Sequence, residues 1–291
     1  MAFVKNAERM IKMIDGLMDA LIDTLKLLPY LLITFIVLEF IEHKMSHKNE
    51  EILRDNKKFG PILGGLLGAI PQCGFSVVAS NLYSGRVITI GTLIAVFLST
   101  SDEMLPIMLS HSTDISTLFG ILIFKVIVGV IVGLLVDLLL SKKIDKHEHI
   151  HELCEDEHCS CDEHGIILSS IVHTLKTGFF ILVANVLINL VIFKVGEDNL
   201  SKLMLNNNIL AYFISSLIGL IPNCASSVII TEVYLSGLIS IGTLLSGLLT
   251  GSGLGILLLF KSNKNLKENI KVLSIVYFVG VFIGLLVDIV L

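Results

Sequence analysis

Pro71-Gln72-Cys73 and Pro222-Asn223-Cys224 each place a helix-breaking residue two positions before a thiol, inside stretches that are otherwise apolar. Proline lacks an N–H and clashes with the preceding turn, so each motif frees backbone groups within hydrophobic sequence. A helix that restarts after the break points its N-terminal N–H groups into the gap, which favours negative charge there, a thiolate included. Cys73 and Cys224 are thus candidate soft ligands, better suited to a thiophilic metal or metalloid than to a hard cation. Gln72, Asn223, Ser76, Ser227 and Ser101 complete the candidate substrate-binding set, with Pro71 and Pro222 as the structural breaks. A lone cysteine in apolar sequence is usually a small hydrophobe. Its recurrence beside a recurring helix breaker is what argues for a site.

Carboxylates supply the second kind of chemistry. The stretch FLSTSDEMLP (97–106) sets Asp102 and Glu103 towards one end of an apolar segment, where an ionisable group costs roughly 2.5–3.5 kcal/mol to insert and is a functional candidate by default. They are candidates for proton carriage or cation ligation. The matching stretch LLTGSGLG (248–255) has no acid, so the expected site is asymmetric. Glu232, which aligns with Asn81, is a third coupling candidate, whereas Asp137 and Asp288 close their helices at matching positions and read as interfacial anchors.

A third constellation lies between these motifs. KKIDKHEHIHELCEDEHCSCDEHG (142–165) carries His147, His149, His151, Cys154, His158, Cys159, Cys161 and His164 among many acids. Irregularly spaced imidazoles and thiolates can hold zinc, copper or a similar soft ion without a prior fold, so this tract reads as a flexible chelator. No cofactor is required by any motif; a zinc or other soft metal on this linker is the one expected.

What positions these groups is a membrane. The 291 residues are 54% hydrophobic and 16% charged, with a mean hydropathy of +0.85, far outside the range of soluble domains. Apolar stretches long enough for a hydrocarbon core of about 30 Å fall at 17–41, 60–84, 88–109, 118–140, 166–193, 208–235, 238–260 and 271–291. The residues before the first read as an amphipathic helix. The expected fold is all-α and polytopic, with a first membrane unit at 1–140, the His/Cys-rich linker at 141–165 and a second membrane unit at 166–291. A net charge of −5, with no basic face, excludes nucleic acid as a partner.

The two units repeat one another. At a constant offset of 151, residues 68–101 match 219–252 at 14 of 34 positions, and GVIVGLLVD (129–137) returns as GVFIGLLVD (280–288). Internal repeats in a membrane protein point to a transporter whose site lies between the halves. If 60–84 and 208–235 cross the membrane, loop Lys and Arg split seven against eleven; if they turn back at Pro-x-Cys as re-entrant hairpins, the split is thirteen against five. The positive-inside rule therefore predicts inverted repeats built on Pro-broken re-entrant or discontinuous helices, with 43–59, 85–87, 141–165 and 261–271 on the cytoplasmic face of the cell membrane.

IPQCGFSVVASNLYSGRVITIGTLIAVFLSTSDEMLPIML (70–109) resembles the ArsP-like arsenic efflux permeases, in the branch described as heavy-metal or manganese exporters. The Pro-x-Cys turn, LYSG and FLSTSDE carry the likeness, which runs over both halves and includes the His/Cys linker. The resemblance implies efflux of trivalent arsenicals, with Cys73 and Cys224 as substrate contacts. Two thiols fit a methylated arsenical or a soft divalent metal. No phosphate-binding loop and no Ser/His/Asp arrangement is present, so the expectation is a non-enzymatic secondary exporter, coupled to protons and able to self-associate. A manganese carrier using Asp102 and Glu103 is the alternative, and a membrane thiol oxidoreductase or metal-sensing scaffold the alternative of another class.

Overall fold

A computed structural model describes residues 59–70, 74–101, 104–111, 114–140, 170–172, 174–187 and 209–290, together with scattered positions between 18 and 36; Cys224 is described by its backbone alone. The described elements are helical. We label them α1 (Gly60–Gly68), α2 (Gly74–Ser84), α3 (Ile90–Ser99), α4 (Met104–Ser110) and α5 (Ile115–Leu140), then α6 (Leu210–Gly219), α7 (Cys224–Leu235), α8 (Ile241–Thr250), α9 (Gly255–Ser262) and α10 (Leu266–Val290). A further apolar helix covers Ser170–Leu187, and the described positions between 18 and 36 are helical. The expected amphipathic start falls almost wholly outside the described residues.

The contacts fix the direction of each helix. Gly60 abuts Thr92, and Gly68 abuts Val96 and Ser99, so α1 and α3 run parallel, side by side. α2 must therefore return to the level at which α3 begins, which makes α1 and α2 a hairpin of two short arms, about 13 and 16 Å long at 1.5 Å per residue. α3 and α4 then continue in one direction as a 21-residue apolar span, Ile90–Ser110. α5 runs back against them: Gly133 meets Gly91, Gly129 meets Ala95 and Lys125 meets Thr100. A Cβ on Gly91 would lie 2.2 Å from the Gly133 carbonyl oxygen, so only glycine admits this crossing.

Local chemistry explains where the helices start. Pro61 occupies the first turn of α1, where its missing N–H costs nothing. Thr89 caps α3 by accepting from Thr92 N, and Ser240 caps α8 by accepting from Thr243 N. Asp137 accepts from Thr89 Oγ1 at 2.6 Å and Gly91 N at 2.8 Å. Asp288 accepts from the Ser240 hydroxyl, Gly242 N at 2.8 Å and Tyr212 Oη at 2.7 Å. The aspartates expected as interfacial anchors therefore clamp the N-termini of α3 and α8, where the helix dipole favours a carboxylate.

α6 to α10 begin 150 or 151 residues after α1 to α5 and pack among themselves in the same way. Tyr212 lies at the level of Asp288, Ser215 Oγ donates to the Thr243 carbonyl and Gly219 abuts Gly247 and Thr250, so α6 is parallel to α8 and α7 returns. The two sets join through α2 on α9 and α7 on α4. Along α2 and α9, Ser76 meets Gly255, Asn81 Oδ1 accepts from Ser262 Oγ at 3.1 Å, and Tyr83 and Arg86 reach Glu268 just beyond. Outward-facing Leu, Ile and Phe side chains on α5 and α10, such as Leu138 at 74% and Phe278 at 63% exposure, leave an apolar perimeter suited to lipid.

Candidate transport site at the helix breaks

Four interruptions of helical structure fall midway along the packed elements. Two are the hairpin tips. In the second, the chain bends through 220–223 and α7 restarts at Cys224, as Pro222 requires. In the first, α1 ends at Gly68 and α2 begins at Gly74, while Pro71, Gln72 and Cys73 lie outside the described residues. The other two break the long spans. α3 ends at Ser99 and α4 begins at Met104; α8 ends at Thr250 and α9 begins at Gly255, with Gly253 at φ +53°. A run of apolar sequence concealed this second pair, and the expected continuous span 88–109 is in fact two helices.

Each tip lies against the break of its own half. A Cβ on Gly68 would fall 2.2 Å from Ser99 Oγ, and one on Gly219 would fall 2.3 Å from Thr250 Oγ1. The first hairpin also approaches the other half, since Ser76, at the start of α2, touches Gly255 at the start of α9. Non-helical backbone at membrane depth survives only where it is enclosed by protein or lines a cavity. These segments satisfy that condition: Ser99, Ser101, Thr250 and Ser252 are fully buried and Thr100 nearly so.

The candidate residues distribute unevenly. Ser101 is buried, its hydroxyl donating to the Ser99 carbonyl at 3.2 Å. Ser76 and Ser227 are buried on the first turns of α2 and α7. Asn223 caps α7, its Oδ1 accepting from Ala225 N at 3.0 Å, so its amide has a structural task. Glu232 is exposed, on the far turns of α7, away from the breaks. Asp102, Glu103 and all eight linker ligands lie outside the described residues; among those described, no three His, Cys, Asp or Glu side chains come together.

One residue at this site went unmarked in the sequence. Lys125, near the middle of the 26-residue α5, is 1% exposed, and its Nζ donates to the Thr100 carbonyl at the end of α3. The signal was available: a charge in the centre of an apolar span is expensive and marks function. Three buried polar atoms have no hydrogen-bond partner among the described residues, namely Asn81 Nδ2, Thr231 Oγ1 and Ser252 Oγ. The last of these sits within the α8–α9 break.

Interrupted helices meeting inside an apolar perimeter define a polytopic membrane protein with an enclosed polar centre. Counting each hairpin as two helices and each interrupted span as one gives ten helical segments among the described residues. The family model described as "Putative, 10TM heavy-metal exporter" matches residues 11–198 and 166–291, and the chain belongs to that family. No curated protein and no solved structure matches it.

Proposed function

We propose that the protein is a secondary exporter that carries a thiophilic metalloid or heavy metal, a trivalent arsenical foremost, between its hairpin tips and helix breaks, in exchange for protons. The observation that carries this reading is the approach of Gly68 and Gly219, the helix ends just before the two Pro-x-Cys motifs, to a break in a membrane-length span, the place where substrate and coupling ion meet in carriers built of interrupted helices. Cys73 and Cys224 supply the soft ligands, with Ser76, Ser227, Ser101 and Gln72 around them. Asp102 and Glu103 are the proton carriers. The His/Cys linker captures zinc or another soft ion on the cytoplasmic face and offers it to the site.

The two halves, in this reading, are inverted repeats. Glu268, in the first turn of α10, pairs with Arg86, in the turn after α2, so these two loops share a face. The first-half counterpart of Glu268, Thr117, lies beyond the whole α3–α4 span from Arg86. Two parallel halves would hold Arg86 and Glu268 on opposite faces.

The decisive experiment is uptake by inverted membrane vesicles of methylated and inorganic trivalent arsenicals, Zn²⁺, Cu⁺ and Mn²⁺, with and without a pH gradient. Arsenical uptake that collapses in Cys73→Ser and Cys224→Ser supports thiol ligation, and normal uptake by the double variant removes it. A manganese carrier is the second reading, favoured by the oxygen ligands that the buried hydroxyls of Ser99, Ser101, Thr250 and Ser252 bring to the breaks. It expects Mn²⁺ uptake independent of the cysteines and lost in Asp102→Asn. No flux of any cargo would leave the oxidoreductase or sensing scaffold.

A further inference from the structure

The buried ammonium and its missing counterpart deepen the proposed reading, on which this inference rests, by separating the two breaks. The carbonyls at the C-terminal end of a helix carry the negative end of its dipole and attract a cation. At the first break Lys125 supplies one, donating to the Thr100 carbonyl from a side chain 1% exposed. The position 151 residues on is Val276, equally buried at 1%. The carbonyl that corresponds to Thr100 is that of Gly251, and α10 brings it no positive charge. Beside it Ser252 is fully buried, its hydroxyl without a partner among the described residues. A buried hydroxyl in that condition is rare, and a bound water or ion would satisfy it.

Cys224 belongs to the same side. It opens α7 five residues after Gly219, which packs on Thr250 at the end of α8. We propose that Lys125 is a specificity-determining residue for a metal-ion cargo: its tethered ammonium takes the cation position at the Thr100 carbonyl of the first break and confines the metal ion to the second. There Ser252 Oγ and the Gly251 carbonyl are the oxygen ligands, near the helix that begins with Cys224.

The test uses the purified full-length protein and reads binding and unfolding, with ZnCl₂, MnCl₂ and ethylammonium chloride as probes. Lys125→Ala should lower the unfolding midpoint in cation-free buffer by at least about 4 °C, and ethylammonium should restore it while leaving the wild type unmoved; Lys125→Arg should need no amine. By equilibrium dialysis Lys125→Ala should take up one more metal ion per chain than the wild type, the linker being intact in both, and Ser252→Ala should weaken binding of one ion by about tenfold or more. A Lys125→Ala protein with wild-type metal stoichiometry and no response to ethylammonium overturns the proposal. Should that variant not fold, unchanged affinity in Ser252→Ala overturns it alone. None of these readouts requires flux: wild-type protein that binds as described yet moves no cargo in vesicles refutes the exporter reading, whereas robust flux with unaltered Ser252→Ala binding refutes this one.

Discussion

Arg86 shows what one side chain is kept for. It lies at φ +57°, and the position 151 residues on is Gly237 at φ +72°, so both halves make the same left-handed turn and only one of them fills it with the residue type that adopts it freely. A side chain there costs about 1–2 kcal/mol. The ion pair with Glu268 spans 2.8 Å between partly exposed groups, 23% and 32% exposed, and is worth about 0–1 kcal/mol. Stability therefore does not explain the arginine; joining the halves does. Glu268 Oε2 also accepts from Tyr83 Oη at 3.1 Å and Asn263 Nδ2 at 3.3 Å, a clasp that Gly237, 151 residues on from Arg86, has no side chain to repeat. We expect Arg86→Gly to leave the unfolding midpoint nearly unchanged while raising the reactivity of cysteines introduced beneath the clasp, as followed by thiol labelling in membranes. Asp137→Asn should behave oppositely, destabilising by about 1–2 kcal/mol through loss of the charge on the α3 N-terminus, read as a fall in midpoint with accessibility unchanged.

Among elements, the hairpins are held by contacts that tolerate no added atom. A Cβ on Gly219 would lie 2.1 Å from the Gly247 carbonyl oxygen, so Gly219→Val should cost about 1–3 kcal/mol and displace the hairpin tip, measurable as a lower midpoint and as loss of vesicle uptake. The first-half packing uses Gly64 and Gly65 where the second uses Ser215 and Ser216, whose hydroxyls donate to the Thr243 and Ser246 carbonyls: the same crossing, made once by bare backbone and once by interhelical hydrogen bonds. The hairpins were legible because proline announces a break chemically. The α3–α4 and α8–α9 breaks were not: Ser, Thr and Gly pass within an apolar span with little effect on its hydropathy, and Asp102 and Glu103 read as chemistry towards the end of a helix and not as its interruption. Lys125 escaped for a related cause: averaged over a span as apolar as α5, one charge disappears, although its free-energy cost does not average at all.

On the scale of the molecule, the arrangement of Arg86 and Glu268 yields a topology test. In a cysteine-free background, Arg86→Cys and Asn265→Cys should react with an impermeant thiol reagent from one side of the membrane, and Ser112→Cys and Ser236→Cys from the other; reaction of the 86 and 265 positions from opposite sides would refute inverted halves. The charge of the loops predicts this division because basic residues stay cytoplasmic, and this labelling is what tests it; α6–α10 follow α1–α5 at an offset of 150 or 151 residues. Sequence did not foretell that the two junctions between halves would differ. Gly255 brings α9 onto α2 so closely that Ser80 Oγ donates to its carbonyl at 2.7 Å. Met104 occupies the corresponding place on α4, and Thr231, which corresponds to Ser80, finds no partner among the described residues. A bonded junction pivots; one cushioned by a pliable thioether slides. On the proposed exporter reading, rocking between two access states would be unequal in effort, and the empty carrier is expected to rest with one mouth favoured before any gradient acts on it.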